Sequence, residues 1–209
     1  MSHLVGFFDI LGTSEMVTQG SFSEYFSFDF VNPVGLAAMR YPEFKFAVFS
    51  DNAVISCDAS RASEFVFLIT ELHMSWFADH IFVRGGVALG DIQWVEFDID
   101  KKFNGLSNFS FSRVYGEALI EAYNSERRSG PGALCFVSED AAAFLKKKVP
   151  GSIFSTLSHI LVWMPTEKLD HLIGVFKDLS EKKEKSIEAQ RHFLATVRLL
   201  KQIRKATEK

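Results

Sequence analysis

Between Phe44 and Cys57 the chain reads FKFAVF, then SDN, then AVISC. Two runs rich in aromatic and β-branched residues read as strands. The three small polar residues between them, Ser50, Asp51 and Asn52, tolerate the tight backbone of a hairpin turn. That hairpin constrains the fold more than any other stretch, because a sheet containing it is not wholly parallel. The remaining apolar runs are LVGFFDI (4–10), the glycine-interrupted IFVRGGVALGDIQWVEF (81–97), ALCFVSE (133–139) and ILVWMP (160–165). Helical patterns separate them: two short ones around SEYFSF and PVGLAAM, then ASEFVFLITELHMSWFADH, YGEALIEAYNSERR and AAAFLKKK. Ser60 or Ser63 is the expected cap of the third of these helices. KKFNGLSNFSFS (101–112) is polar and loop-like. Hairpin and crossover connections together predict an α+β fold, a mixed sheet packed by helices.

A length of 209 residues with 47% apolar composition suits one such domain. No Pro/Gly/Ser-rich linker divides it. Residues 1–165 hold all the strand signals, and 166–209 form a charged C-terminal helical extension expected to pack on the same domain. Its apolar line is Ile187, Leu194, Val197 and Ile203, while Glu181, Glu184 and Glu188 dilute its positive charge and argue against a membrane-surface role. A formal net charge of -3 gives no support to nucleic-acid binding. No run approaches the roughly 18 apolar residues of a membrane span. Cys57 and Cys135 lie in strand-like runs without metal-ligand spacing, which suits buried thiols in a reducing cytoplasm. The expectation is a soluble, cytoplasmic protein. The six histidines are scattered, with no Ser or Cys in a nucleophile arrangement.

FFDILGTS (7–14) then raises a question of energy. An aspartate near the end of an apolar strand costs free energy if it is buried without a partner. Asp9 ends one strand and Asp51 sits in the hairpin turn. If those ends are neighbours in the sheet, two carboxylates converge and repel unless a cation lies between them. A hard cation such as Mg²⁺ takes oxygen ligands, commonly one or two carboxylates plus substrate phosphates, and the Ile10 carbonyl offers a third oxygen. Gly12 allows close approach of the backbone to a phosphate. Together these residues point to metal-assisted phosphoryl or nucleotidyl transfer. They also have a plainer reading: Asp51-Asn52 is a good turn pair, and Asp9 suits the start of a helix.

Four motifs in order resemble the class III nucleotide cyclases. FFDILGTS resembles their first metal motif, F-x-D-I-x-G-F-[ST]. FSDNAVIS resembles the second, with its aspartate in a hairpin turn. RGGVALGDI is similar to their R-x-G-[IV]-x-x-G strand, and YGEALIEAYNSE to their G-x-x-V-N-x-A-A-R-x-E helix. The four span residues 4–128. The resemblance implies a ferredoxin-like catalytic core working as a homodimer, with active sites at the subunit interface. The implied reaction is attack of a 3′-hydroxyl on its own α-phosphate, giving a 3′,5′-cyclic nucleotide and pyrophosphate. It implies two ions per site, Mn²⁺ or Mg²⁺, held by Asp9, Asp51 and the Ile10 carbonyl. Residues 11–14 would cradle the triphosphate.

The departures from that pattern concern the base and the charge at the transition state. Where purine cyclases carry a base-reading Lys or Glu, four residues before the second metal aspartate, this chain has Ala47. The other base-reading position holds Arg113, a donor-only side chain that suits the two carbonyls of uracil better than adenine. Ile120 stands where the helix motif has Asn, and Asn124 where it has the transition-state Arg. Asn124 supplies a hydrogen bond but no positive charge, and Arg127 or Arg128, one turn on, is a substitute. Lost purine readers and short length resemble the bacterial pyrimidine cyclases of the Pycsar antiphage systems, whose cyclic nucleotide is read by a separate effector. There an aromatic near the second metal motif crowds out purines. Phe49 is the candidate here, with Tyr41 and Phe46 behind it.

The expected substrate is therefore UTP, with CTP as the alternative. The expected catalytic residues are Asp9, Asp51, Asn124 and Arg127. The nucleotide would contact Phe8, Leu11, Gly12, Thr13, Phe49 and Arg113. Arg84 is expected to contact phosphate or to pair with a carboxylate at a dimer interface, and Tyr123 to pack in a core or interface.

Overall fold

The computed structural model describes residues 2–18, 20, 24–95, 113–128, 130–155, 158–182 and 186–208. The loop-like stretch 101–112 lies outside the described residues.

Alternation along β1 (His3–Ile10) divides the molecule. Leu4, Phe8 and Ile10 enter one apolar core, whereas Val5 and Phe7 join a second on the other face. Asp9 shares that second face. The expected hairpin is present as β2 (Lys45–Phe49) and β3 (Asn52–Asp58). Its register pairs Phe49 with Asn52, so Ser50 and Asp51 alone turn the chain, and Ser50 takes a left-handed φ of 56°. On its other side β3 pairs antiparallel with β1, placing Asn52 opposite Asp9. β1 then pairs antiparallel with β4 (Val83–Gly90), placing Arg84 opposite Asp9.

β4 continues into β7 (Cys135–Val137) through the parallel pairing of the sheet, followed by β9 (His159–Leu161) and β8 (Ile153–Ser155). The strand order is β2-β3-β1-β4-β7-β9-β8. β8 was not legible as a strand. The tail of the glycine-interrupted run leaves this sheet as β5 (Gln93–Val95) and forms a separate ribbon with β6 (Arg113–Tyr115).

The first face is covered by α2 (Glu24–Arg40) and α3 (Ala62–Ala78), after the short α1 (Thr13–Thr18). The two short helical patterns expected at SEYFSF and PVGLAAM are one helix running through Pro33. Proline removes a helical hydrogen bond, but Phe30, Val34 and Ala37 are all buried along one side and hold the turns on either side of it. Trp76 stacks on Phe30 at 5.2 Å and its indole N–H donates to the Phe30 carbonyl at 2.9 Å. Neither Ser60 nor Ser63 caps α3. Asp58 accepts the Ser60 N–H at 2.8 Å, opening a 3₁₀ turn at Ala59–Arg61 that leads into the helix.

On the second face α4 (Glu117–Arg128) crosses β4 and β1 through Ala118 and Ala122. The approach depends on Gly86, where a Cβ would lie 1.9 Å from the Ala122 carbonyl oxygen. After α5 (Glu139–Lys148), α6 (Leu169–Glu181) and α7 (Ile187–Thr207) pack against each other. The expected apolar line of α7 is displaced. Ile187 is 87% and Leu194 44% exposed, while Phe193, Thr196, Val197, Leu200 and Ile203 are buried. Phe193 sets this rotation by packing against Phe82 and Phe176, with ring centroids 5.1 and 6.1 Å away. Cys57 and Cys135 are both buried and free. Among the described residues no helix is long and apolar enough to cross a membrane.

Candidate functional site

Sheet register lays four side chains in a row across the second face: Phe49, Asn52, Asp9 and Arg84. The hairpin turn is clamped to the end of β1, since the Ile10 N–H donates to the Asp51 carbonyl at 3.1 Å. Asn52 Nδ2 donates to Asp51 Oδ1 at 3.0 Å and orients that carboxylate. Beyond Ile10 the chain turns sharply at Gly12, whose φ of 86° lies in the left-handed region that favours glycine. Thr13 Oγ1 donates back to the Ile10 carbonyl at 3.0 Å, occupying one of its two lone pairs. The Leu11 N–H is committed to the Phe82 carbonyl at 2.8 Å and is not available to a phosphate.

These residues line a cavity of about 700 Å³ that holds both Asp9 and Asp51. Burial, then the charges of Asp51 and Glu126, push the Asp9 carboxyl from 3.8 up to about 7, against the opposing pull of Arg84 and Arg127. Arg84 is already engaged. Its Nε lies 3.2 Å from Glu126 Oε1, its Nη2 donates to the Glu126 carbonyl, and its guanidinium sits 5.3 Å over the Phe136 ring. The carboxylate expected to pair with Arg84 is therefore in the same chain. Arg127 lines the cavity, lies 5.3 Å over the Tyr123 ring and donates to the Tyr123 hydroxyl. Tyr123 meets Phe7 edge-on at 5.2 Å.

Four carboxylates, Asp9, Asp51, Glu126 and Glu188, line the cavity with two guanidiniums, Arg84 and Arg127. That balance repels an unaccompanied polyphosphate and favours cations. Two carboxylates and the Ile10 carbonyl form an oxygen-only donor set, which fits a hard divalent ion whose remaining ligands are water and substrate. Among the described residues no cluster of three or more His, Cys, Asp or Glu side chains is arranged to hold a metal by itself.

The other expected site residues are placed elsewhere. Phe8 is fully buried on the opposite face of β1, packed on His73 and Trp76, so its side chain has no access to a nucleotide. Phe49 is 42% exposed on the Asp9 face, beyond Asn52, and does not line the cavity. Tyr41 and Phe46 instead stack around Phe44. Arg113 lies in β6 opposite Val95. Asn124 is half-buried on α4 and lies outside the cavity of its own chain, and Arg128 is exposed.

One wall was missed. Ser186, Glu188, Ala189, His192 and Phe193 bring α7 to the cavity. Glu188 and His192 stand one helical turn apart, which was legible as a polar pair; the strand end that they face was not.

No protein-family model and no curated protein matches the sequence. Solved structures do. An adenylate cyclase from Trypanosoma brucei superposes with a TM-score of 0.58 at 12% identity, covering 78% of this chain and 90% of that one. A bacterial light-regulated adenylyl cyclase gives 0.52 at 12% identity, with 97% of both chains covered. The guanylate cyclase domain of a Catenaria anguillulae protein, solved with GTP, gives 0.50 at 16% identity over 76% of this chain and 92% of that one. The chain thus has the class III nucleotide cyclase fold: α+β, a mostly antiparallel sheet packed by helices, with a C-terminal helix.

Proposed function

We propose that the protein is a nucleotide cyclase that converts UTP to 3′,5′-cyclic UMP and pyrophosphate. The observation that carries this reading is the meeting of Asp9 and Asp51, beside Gly12 and Thr13, in one cavity of a cyclase fold. Asp9, Asp51 and the Ile10 carbonyl would hold Mn²⁺ or Mg²⁺, two ions per site. Such ions neutralise polyphosphate charge and favour ionisation of the attacking hydroxyl. In the reaction the ribose 3′-oxygen bonds to the α-phosphorus, the α–β bridging bond breaks, and the hydroxyl proton is released. Gly12 and Thr13 border the polyphosphate, and Arg127 supplies the positive charge that Asn124 cannot.

Phe49, next to Ala47 on the same strand face, would crowd out a purine, and Arg113 would read a carbonyl-bearing base. Asn124, outside the cavity of its own chain, suits service to the partner's site in a homodimer. Residues 1–165 would form the catalytic unit and 166–209 its helical extension. By resemblance to the Pycsar cyclases, the product would be an antiphage second messenger read by a separate effector in the cytoplasm.

Incubating the protein with each of the four ribonucleoside triphosphates and Mn²⁺, and resolving products by mass, tests this. Cyclic UMP alone supports it, and cyclic CMP moves the assignment to CTP. Ile120 and Asn124 at motif positions favour a second reading, a nucleotide-binding homologue without turnover, for which binding without any cyclic product is the signature.

A further inference from the structure

The α7 wall raises a question that the cyclase motifs do not address. His192 is held by its backbone neighbours in a defined way. The Gly132 N–H donates to His192 Nδ1 at 3.0 Å. An N–H can only donate, so Nδ1 accepts, and the uncharged ring carries its proton on Nε2. Burial, followed by the charge of Arg84, holds the ring below its ordinary 6.5 and keeps it neutral, with Glu188 opposing and Arg191 adding to the shift. Thr196, one turn on, accepts the Ala133 N–H at 2.9 Å and donates to the His192 carbonyl at 2.9 Å. Residues 132 and 133 thus fix the helix by two adjacent amides. His192 borders the cavity with Asp9, Asp51, Gly12 and Thr13. Among the described residues its Nε2–H has no protein acceptor.

We propose that α7 is part of the binding site and that His192 donates its Nε2–H to the polyphosphate of a nucleoside triphosphate. A neutral donor suits this position. Arg84 is committed to Glu126, and a further cation beside the metal carboxylates would compete with divalent ions for Asp9 and Asp51. A neutral N–H binds a phosphoryl oxygen without that competition and without a change of protonation. Glu188, one turn earlier on the same helix, repels an unaccompanied polyphosphate, so the donor acts on the metal-bound form. His192 is thus a binding residue contributed by a helix outside the four cyclase motifs. The inference rests on the proposed triphosphate site, but it can be tested separately from turnover.

Two variants divide the functions of the imidazole. His192→Asn keeps an acceptor where Nδ1 stands and loses the reach of Nε2. His192→Gln keeps a donor near Nε2 and loses the acceptor for Gly132. The probe is inorganic tripolyphosphate with Mg²⁺, titrated calorimetrically into the full chain. His192→Asn should keep its melting temperature and bind about tenfold more weakly, whereas His192→Gln should melt lower and bind within about threefold of the parent. The reverse order overturns the proposal and leaves His192 as a clamp for Gly132. In the unmodified protein the ¹⁵N resonance of His192 Nε2 should move on adding tripolyphosphate; an unmoved resonance, or no tripolyphosphate binding, also overturns it. Binding with this pattern but no cyclic product from any nucleotide would sink the cyclase reading and leave the His192 assignment standing. A cyclic product whose KM is unchanged in His192→Asn would do the opposite.

Discussion

The two faces of β1 each bury an ionisable group and resolve it differently. On the Phe8 side His73 is buried between the Trp163 ring, stacked at 5.0 Å, and the edge of Trp76 at 5.5 Å. Its Nδ1–H donates to the Ile69 carbonyl at 2.9 Å, while Nε2 is buried without a hydrogen-bond partner. Burial drives the ring from 6.5 down to about 4, and the core keeps it neutral. On the Asp9 side burial also favours the neutral form, but the neighbouring charges include two further carboxylates that reinforce the shift. The histidine is resolved by losing a proton to become an uncharged member of an aromatic cluster. The aspartate sits in an open cavity among oxygen donors, where a divalent cation would reverse the shift. Burial is common to both; an open cavity lined by further charged groups separates the site from the core.

The largest test of that contrast is Asp9→Asn or Asp51→Asn, each expected to reduce turnover in the proposed cyclase reaction by about 10³-fold, or roughly 4 kcal/mol of barrier. Neither should lower the melting temperature in metal-free buffer, because each relieves carboxylate repulsion. Full turnover in either variant removes the metal assignment.

Next in size is Gly86→Ala on the same face. A methyl group 1.9 Å from the Ala122 carbonyl must push α4 off β4, and a loss of about 3 kcal/mol in denaturant unfolding is expected. Unchanged stability would mean that the helix sits further from the sheet.

pH separates the two faces directly. His73 titrates at about 4 when folded against 6.5 unfolded, so its contribution is complete above 6.5 and is lost as pH falls toward 4. Asp9 is raised to about 7 from 3.8, so its contribution runs the other way, present below 3.8 and lost as pH rises through 7. In metal-free wild type the two slopes oppose each other. In Asp9→Asn the Asp9 slope is removed; His73, joined by His192, whose ring is also held below its ordinary value, outweighs the raised Glu126 carboxyl, and stability should fall by about 2 kcal/mol between pH 6.5 and 5. A flat profile in that variant would mean that His73 is not held neutral. The smallest effect is on selectivity: Phe49→Ala should raise purine relative to pyrimidine turnover by about tenfold, and unchanged selectivity would sink the steric role.

Asp9, Asp51, Gly12 and the hairpin were legible because local chemistry specifies them: a carboxylate in an apolar strand, a turn pair and a glycine. The same local reading misassigned Phe8, because adjacency in sequence to Asp9 means the opposite face in a strand. It divided α2 at Pro33, because the buried side chains that carry the helix through belong to tertiary packing. Glu126 and His192 were missed as site residues for a related reason. Their places in the cavity come from where α4 crosses the sheet and where α7 packs against α6, and the position of α7 follows from Phe193 meeting Phe82 and Phe176, a contact that no periodicity within one helix specifies.

The cavity that joins Asp9 to His192 also has a consequence for biosynthesis. A ribosome makes Asp9 and Asp51 early and the α7 wall late, so during synthesis the nascent chain carries the carboxylates of the strand end without the α7 wall of the pocket. Closure needs contacts between distant parts of the sequence, which form slowly. On the proposed reading, nucleotide binding should therefore strengthen late, coupled to the docking of α7, and a fragment released before that helix should expose the carboxylates and hold a polyphosphate more weakly than the full chain.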